Sequence, residues 1–295
     1  MILAADNESY YKLGTFSGLR YMIPKRTGSL AAYAEGLASS GRITFAREEA
    51  MDALELGHGA FQDAARRLTQ KGYIFAPRRG FYVITPTRFL KWGAPPPSFY
   101  IDAMMKHAGI PYYVGLQKAA ELSGAAHQAV MEFQVVTNRQ WKPIKAGRSK
   151  IVFYYRKDMI AVEQGMELRK TDTGSMRISS PALTALDLLR YRQASGSTDH
   201  VASILNELAP RIDVQSLVSL ALSFERTVVQ RLGYICDRLN FHDLADALEE
   251  MLANQPRQWI ELDPNERASS IMEEEPQRDA RWHIMFRRPI EIDEQ

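Results

Sequence analysis

The stretch AARRLTQKGYIFAPRRGFYVI, residues 64–84, decides the first part of the fold. A helical stripe ends at Lys71-Gly72, where a glycine in the left-handed region closes a helix. Two short alternating runs follow, YIFA and FYVIT, joined by Pro77-Arg78-Arg79-Gly80. Apolar alternation flanking a Pro/Gly turn predicts a two-stranded hairpin. A turn needs only the proline and the glycine, so two arginines at its tip call for a reason.

Upstream, Ser29 caps a short helix, LAAYAEGLAS, stopped by Gly41. Arg42-Ile-Thr-Phe45 is brief and extended. AREEAMDALEL is helical, with Ala46, Ala50 and Leu54 on one face and acids in the first turn, where the helix dipole favours them. Gly57 separates it from HGAFQDAARRLTQK, whose Phe61, Ala64, Ala65 and Leu68 form one apolar stripe.

Three helices and a two-stranded ribbon within about sixty residues is the order of a winged helix-turn-helix, in which the third helix enters the major groove. The stripe leaves His58, Gln62, Arg66 and Thr69 on the outward face, with Arg67, Gln70 and Lys71 beside it. Arg pairs with guanine, Gln with adenine, and Thr with either. Arg78 and Arg79 at the ribbon tip suit phosphate or a narrow minor groove. Lys25, Arg26, Arg42 and Arg47 are expected phosphate contacts, which position a protein without reading sequence.

Charge points the same way. Net charge is only +2, but residues 1–160 carry 22 Lys/Arg against 12 Asp/Glu, and residues 161–295 carry 15 against 23. A basic first half and an acidic second half predict different partners, a polyanion for the first. The single cysteine, Cys236, excludes an internal disulfide and fits a reducing cytoplasm; its apolar surroundings mark it as a packing residue. No apolar run approaches the roughly 18 residues of a membrane helix, and the first residues lack a signal-peptide pattern. No membrane partner is expected.

Residues 1–28 show little periodicity and are expected to form a partly flexible arm. The winged helix is placed at 29–92. Gly93 and Pro95–Pro97 mark a linker, and a second domain is placed at 98–295. It opens with a helix from Ser98 to about Ala108 and a second, VGLQKAAELSG. Strands follow at about 130–178 (VMEFQVVT, KIVFYY, GMELRKT and SMRIS), then helices from Ser180-Pro181 to about Leu252, and a polar tail with one extended segment, RWHIMF. The expected class is α+β: a winged helix-turn-helix domain, then a mixed α/β domain ending in a helical bundle.

Catalytic signatures are scarce. The six histidines show no ligand spacing, and the glycine patterns of nucleotide loops and GxSxG are missing. Gly147-Arg148-Ser149-Lys150 reads as a turn. Glu132, Asp158 and Glu163 beside Lys150 loosely resemble a nuclease acid cluster but lack its tight spacing. No cofactor and no metal are expected, and enzymatic activity is not.

Several segments together resemble a known family. They are KGYIFAPRRGFYVITP, PPPSFYIDAMMKHAGIPYYVGLQKAAELSGA and ISSPALTALDLLRY. The chain is similar, over about Ser29 to Phe286, to the AbiEi family. Its members are the antitoxin and transcriptional repressor half of type IV abortive-infection toxin–antitoxin pairs. Tyr113-Val114-Gly115 with Ala119 and Ala120 carry the best match, then Ser180-Pro181 through Asp187, then Arg281-Trp282-His283-Ile284. The resemblance implies an N-terminal domain that binds inverted repeats in its own promoter, with two monomers pairing there. It also implies a C-terminal domain that counters a nucleotidyltransferase toxin without a stable complex, as part of phage defence. The arm before Ser29 and the acidic 261–280 segment depart from the family pattern. Two alternatives remain: a free-standing regulator whose C-terminal domain senses a ligand or oligomerises, and a nuclease-like enzyme.

Overall fold

A computed structural model describes residues 11–16, 19–24, 28–125, 130–253, 256–263 and 275–291, the first two segments by backbone alone. Within the expected arm, β1 (Tyr11–Phe16) and β2 (Leu19–Pro24) pair antiparallel, Tyr11 opposite Pro24 and Phe16 opposite Leu19. YKLGTF and LRYMIP hold aromatic and β-branched residues of the kind that suit a strand.

The next segment follows its local signals closely. The Ser29 side chain accepts the Ala32 N–H and starts α1 (Leu30–Ser39). Then come β3 (Thr44–Ala46), α2 (Arg47–Leu54) and α3 (His58–Gln70). Helix α2 ends two residues before the expected Leu56, because Glu55 takes a left-handed conformation and opens a three-residue turn to α3. Gly72, at φ +74°, closes α3: its N–H donates to Thr69 O and that of Tyr73 to Leu68 O.

Strands β4 (Ile74–Arg78) and β5 (Phe81–Ile84) follow, and with β3 they make a three-stranded sheet in the order β3-β5-β4. Pro77 lies inside β4 at a register irregularity between Phe75 and Arg78, where its missing N–H costs no ladder bond. Arg78 therefore pairs with Phe81, and the turn proper is Arg79-Gly80. Phe61 and Ala65 of α3 are buried with Tyr33, Phe45, Ala50, Ile74, Phe81 and Val83. The Phe45 ring stacks on Tyr82 and meets Tyr33 edge-on.

Beyond Pro95–Pro97 the helix expected from Ser98 starts later. A 3-10 turn occupies Pro97–Phe99 and α4 spans Ile101–His107. Strand β6 (Tyr112–Val114) precedes α5 (Leu116–Leu122). Then come β7 (Glu132–Thr137), β8 (Ile144–Ala146), β9 (Ser149–Tyr155), β10 (Met166–Thr171) and β11 (Gly174–Ser179). These six form one sheet in the order β10-β11-β6-β7-β9-β8, with β6 parallel to β11 and antiparallel to β7. Both β6 and β8 are new relative to the sequence reading; three residues are too few to show a period.

Helices α6 (Pro181–Arg190), α7 (Thr198–Leu208), α8 (Val214–Ala221), α9 (Arg226–Arg238) and α10 (His242–Leu252) follow. The tail supplies β12 (Ile260–Glu261), β13 (Gln277–Asp279) and β14 (Ile284–Phe286), ordered β12-β14-β13. Mixed α+β architecture is thus what the chain adopts. It divides into two units: Met1–Pro111 with Trp141–Val152 and Arg169–Met176, and Tyr112–Gln140 with Phe153–Leu168 and Arg177–Gln295. The core of the second is built around α6, α9 and α10.

Candidate nucleic-acid interface and motif cluster

The stripe of α3 leaves a continuous polar face. His58, Gln62, Arg66, Arg67, Thr69, Gln70 and the following Lys71 are all exposed, while Phe61 and Ala65 are buried. Arg66 lies 3.2 Å from Asp63, an exposed pair of the kind that contributes little and yields readily to a stronger anion. Among the described residues, Arg67, Lys71 and Arg79 have no carboxylate partner.

The other cations are engaged within the protein. Arg42 forks onto Glu49, both bonds at 2.5 Å, and Glu49 also accepts the Ala46 N–H at the start of α2. Arg47 forks onto Glu48, and that bond, with a backbone N–H, holds the Glu48 carboxyl below its usual range. Arg78 is half-buried, its guanidinium 3.6 Å over the ring of Trp141. Arg79 remains exposed at the turn. Lys25 and Arg26 lie outside the described residues.

In the second unit the structure joins two of the segments that carry the family resemblance. The Tyr113 hydroxyl, on β6, donates to Asp187 Oδ2 on α6 at 2.6 Å. Arg156, just after β9, reaches Asp187 Oδ1 at 3.4 Å and donates to the carbonyls of Asp158 and Ser223. Its guanidinium lies 4.3 Å from the centre of the Phe224 ring. All three side chains are buried, Asp187 completely. Sequence reasoning missed Arg156. The available signal was Asp187 itself: every residue of α6 from Ala182 to Leu189 is buried, and an acid in such a helix needs a buried donor.

Burial pushes the Asp187 carboxyl up to about 6, against the downward pull of the Tyr113 bond and the Arg156 and Arg190 charges. Desolvation outweighs the pair, as it does for many buried ion pairs. The folded value lies above the unfolded one, so this group's stability contribution is complete below about pH 4 and is lost as pH rises to about 6. The denaturation midpoint of the native chain is expected to fall across that window. Asp187→Asn should flatten that part of the profile, and an unchanged slope in the variant would rule the assignment out.

The loose acid cluster does not assemble. The Asp158 carboxylate accepts the Ala161 N–H, and Glu163 lies 3.8 Å from Arg177. Among the described residues no three His, Cys, Asp or Glu side chains are placed to hold a metal ion. Cys236 is buried, its thiol pushed up to about 12 by desolvation and then by Asp237, which fits a packing role. No described helix is long and apolar enough to cross a membrane.

No curated protein matches the sequence. Among solved structures, the chain is similar to the crystal structure of the RV2827C protein from Mycobacterium tuberculosis. The TM-score is 0.62 at 12% identity, over 90% of this chain and 93% of that one, a likeness of fold. Residues 113–238, the span that contains both Tyr113 and Asp187, match the family model of the AbiEi antitoxin C-terminal domain.

Proposed function

We propose that this protein is a sequence-specific DNA-binding autorepressor and the antitoxin of a type IV toxin–antitoxin pair, countering a nucleotidyltransferase toxin in the cytoplasm. Residues 29–92 serve as a winged helix-turn-helix, with β4 and β5 as the wing. Residues 98–295 serve as the antitoxin domain. The observation that carries the DNA reading is the outward face of α3, where His58, Gln62, Arg66, Thr69 and Gln70 stand exposed over a buried Phe61 and Ala65. A three-residue turn between α2 and α3 and the exposed Arg79 at the wing tip support it. The antitoxin reading is supported by the family match.

In this arrangement α3 lies in the major groove, with Arg66 and Gln62 at base edges and Arg67, Lys71 and Arg79 on phosphates. Arg42 and Arg47 brace the start of α2 through Glu49 and Glu48 and position the recognition helix. Two monomers meet on an inverted repeat of the promoter, each reading one half-site.

The test is a gel-shift titration of the full chain against its promoter duplex. Arg66→Ala is expected to cost about 1–3 kcal/mol on the preferred site and to relax base preference there. Arg79→Ala should weaken all duplexes evenly and lower the salt slope by about 1. Co-expression with the adjacent toxin should still restore growth in Arg66→Ala. A native chain that shows no salt-dependent shift would sink the DNA reading. Rescue lost together with DNA binding would show that protection works through transcription.

A further inference from the structure

Where β9 ends, at Tyr154 and Tyr155, the second unit opens into a cleft of about 730 Å³. That size falls within the roughly 300–1,000 Å³ of small-molecule sites. Its wall combines two chemistries: the tyrosines Tyr154, Tyr155 and Tyr191, and the arginines Arg190, Arg192 and Arg231. The Tyr191 hydroxyl donates to the Tyr155 carbonyl at 2.9 Å, and the rings of Tyr154 and Tyr191 lie 5.6 Å apart at 56°. These contacts hold the aromatic side of the cleft in place. Tyr155 is itself 45% exposed, a flat apolar face left open beside the cations.

The arginines are unequally matched with acids. Arg190 is engaged at 2.9 Å by Glu225, which lies on the same wall. Arg231, on α9, donates to the carbonyls of Thr227, Glu261 and Leu262. Those bonds use three of its five N–H groups, and none is to a carboxylate. Burial, and then the Arg192 charge, push its guanidinium down to about 10, against the pull of Asp263. Arg192 stands 4.0 Å from Asp263, too far for a hydrogen bond, and the Thr198 hydroxyl already donates to that carboxylate. Two guanidiniums thus share one cleft with spare donors and a single distant acid. An anion seated between them would supply the missing counter-charge through charge-assisted hydrogen bonds.

We propose that this cleft binds a nucleoside phosphate, with Arg192 and Arg231 on the phosphate groups and Tyr155 stacked on the base. Phosphate is matched by the guanidinium fork, and any base can stack on an open aromatic face. An acidic peptide answers the cations alone, whereas the tyrosine wall selects a flat ring joined to the anion. The inference is independent of the DNA-binding reading, since no residue of the cleft lies within 29–92.

The experiment titrates the full chain with ATP and GTP carrying a fluorescent N-methylanthraniloyl group. The bound probe is then competed with unlabelled ATP, GTP, adenosine, inorganic triphosphate and a short single-stranded oligonucleotide. Saturable binding is expected, with ATP or GTP displacing the probe at least about tenfold better than adenosine or triphosphate, because base and phosphate both contribute. Arg192→Gln, at a side chain that makes no hydrogen bond among the described residues, should weaken the probe about tenfold. Tyr155→Ala should weaken it by a similar factor and leave competition by triphosphate unchanged, while Tyr155→Phe keeps native affinity. Unchanged denaturation midpoints would show that these variants fold, and Arg66→Ala should bind the probe as the native chain does.

No saturable binding by the native chain overturns the proposal. Binding that neither Arg192→Gln nor Tyr155→Ala weakens places the probe elsewhere, and loss of binding in Arg66→Ala places it on α3; either result overturns the proposal and leaves the DNA reading standing. Triphosphate competing as well as ATP and GTP would leave an anion site with no place for a base. An oligonucleotide competing better than either nucleotide would assign the cleft to a nucleic-acid strand, and both outcomes count against the inference.

Discussion

Asp187→Ala is expected to destabilise the chain by about 3–5 kcal/mol, because it strands a buried guanidinium. Arg156 is 3% exposed, and its other acceptors are the carbonyls of Asp158 and Ser223. Without the carboxylate it keeps its desolvation penalty and loses its counter-charge. Tyr113 loses the acceptor of its 2.6 Å bond at the same time. Tyr113→Phe removes one donor and strands no charge, so its cost should be smaller, about 1–3 kcal/mol. Replacing both charges, Asp187→Leu with Arg156→Met, should recover much of the loss, since apolar side chains of similar volume carry no desolvation burden. Urea denaturation of the four proteins checks the order. A double replacement less stable than Asp187→Ala would show that the cluster is held by shape rather than by charge.

Gly233→Ala is expected to be as damaging as Trp282→Ala, about 3–5 kcal/mol each. In an ordinary helix, alanine for glycine gains up to about 1 kcal/mol. Here Gly233 lies in the middle of α9, and a Cβ would fall 2.0 Å from Trp282 Cζ3 and 2.1 Å from Cη2. Carbon atoms settle at about 3.5–4.0 Å, so the ring must leave. Trp282 is fully buried and held by three hydrogen bonds. Its indole N–H donates to Asp237, its backbone N–H donates to Asp279, and its carbonyl accepts from the buried Gln230 amide. Arg281 beside it bonds Asp237, Asp246 and Glu249 on α9 and α10. Losing the ring therefore frees the tail from both helices. The two changes should not add: with Trp282→Ala in place, Gly233→Ala should be neutral or stabilising. Full additivity in denaturation midpoints would contradict the packing described.

Legibility followed the range of the interactions. Ser29, Ser180 and Gly72 mark helix ends through bonds to residues three or four away, and each stands at its expected end. The exposed side of α3 was readable because 3.6-residue periodicity needs only the helix itself. Strands β7, β9, β10 and β11 were readable because each runs six or seven residues. Strands β6 and β8, at three residues each, exist only because neighbouring strands accept them.

The candidate interface divides in the same way. Which arginines project from α3 follows from sequence spacing. That Arg42 is engaged by Glu49 depends on how α2 is placed against the strand before it, whereas Arg47 meets its own neighbour Glu48. The ring beneath Arg78 comes from Trp141, sixty-three positions along the chain, and no local rule reaches so far.

The sequence by itself determined the helix ends at Ser29, Gly72 and Ser180, the polar face of α3, a hairpin turn within Pro77–Gly80 and the segments that resemble AbiEi. Each depends on bonds or sterics spanning a few residues. Only the tertiary structure decided that Tyr113 and Asp187, seventy-four residues apart, share a proton donor and acceptor, and that Arg156 is the cation they need. Only it decided that Gly233 is glycine to admit Trp282. Contacts at such separations are set by which surfaces the whole core must bury and which buried polar atoms it must then satisfy. No single segment of the chain carries that information.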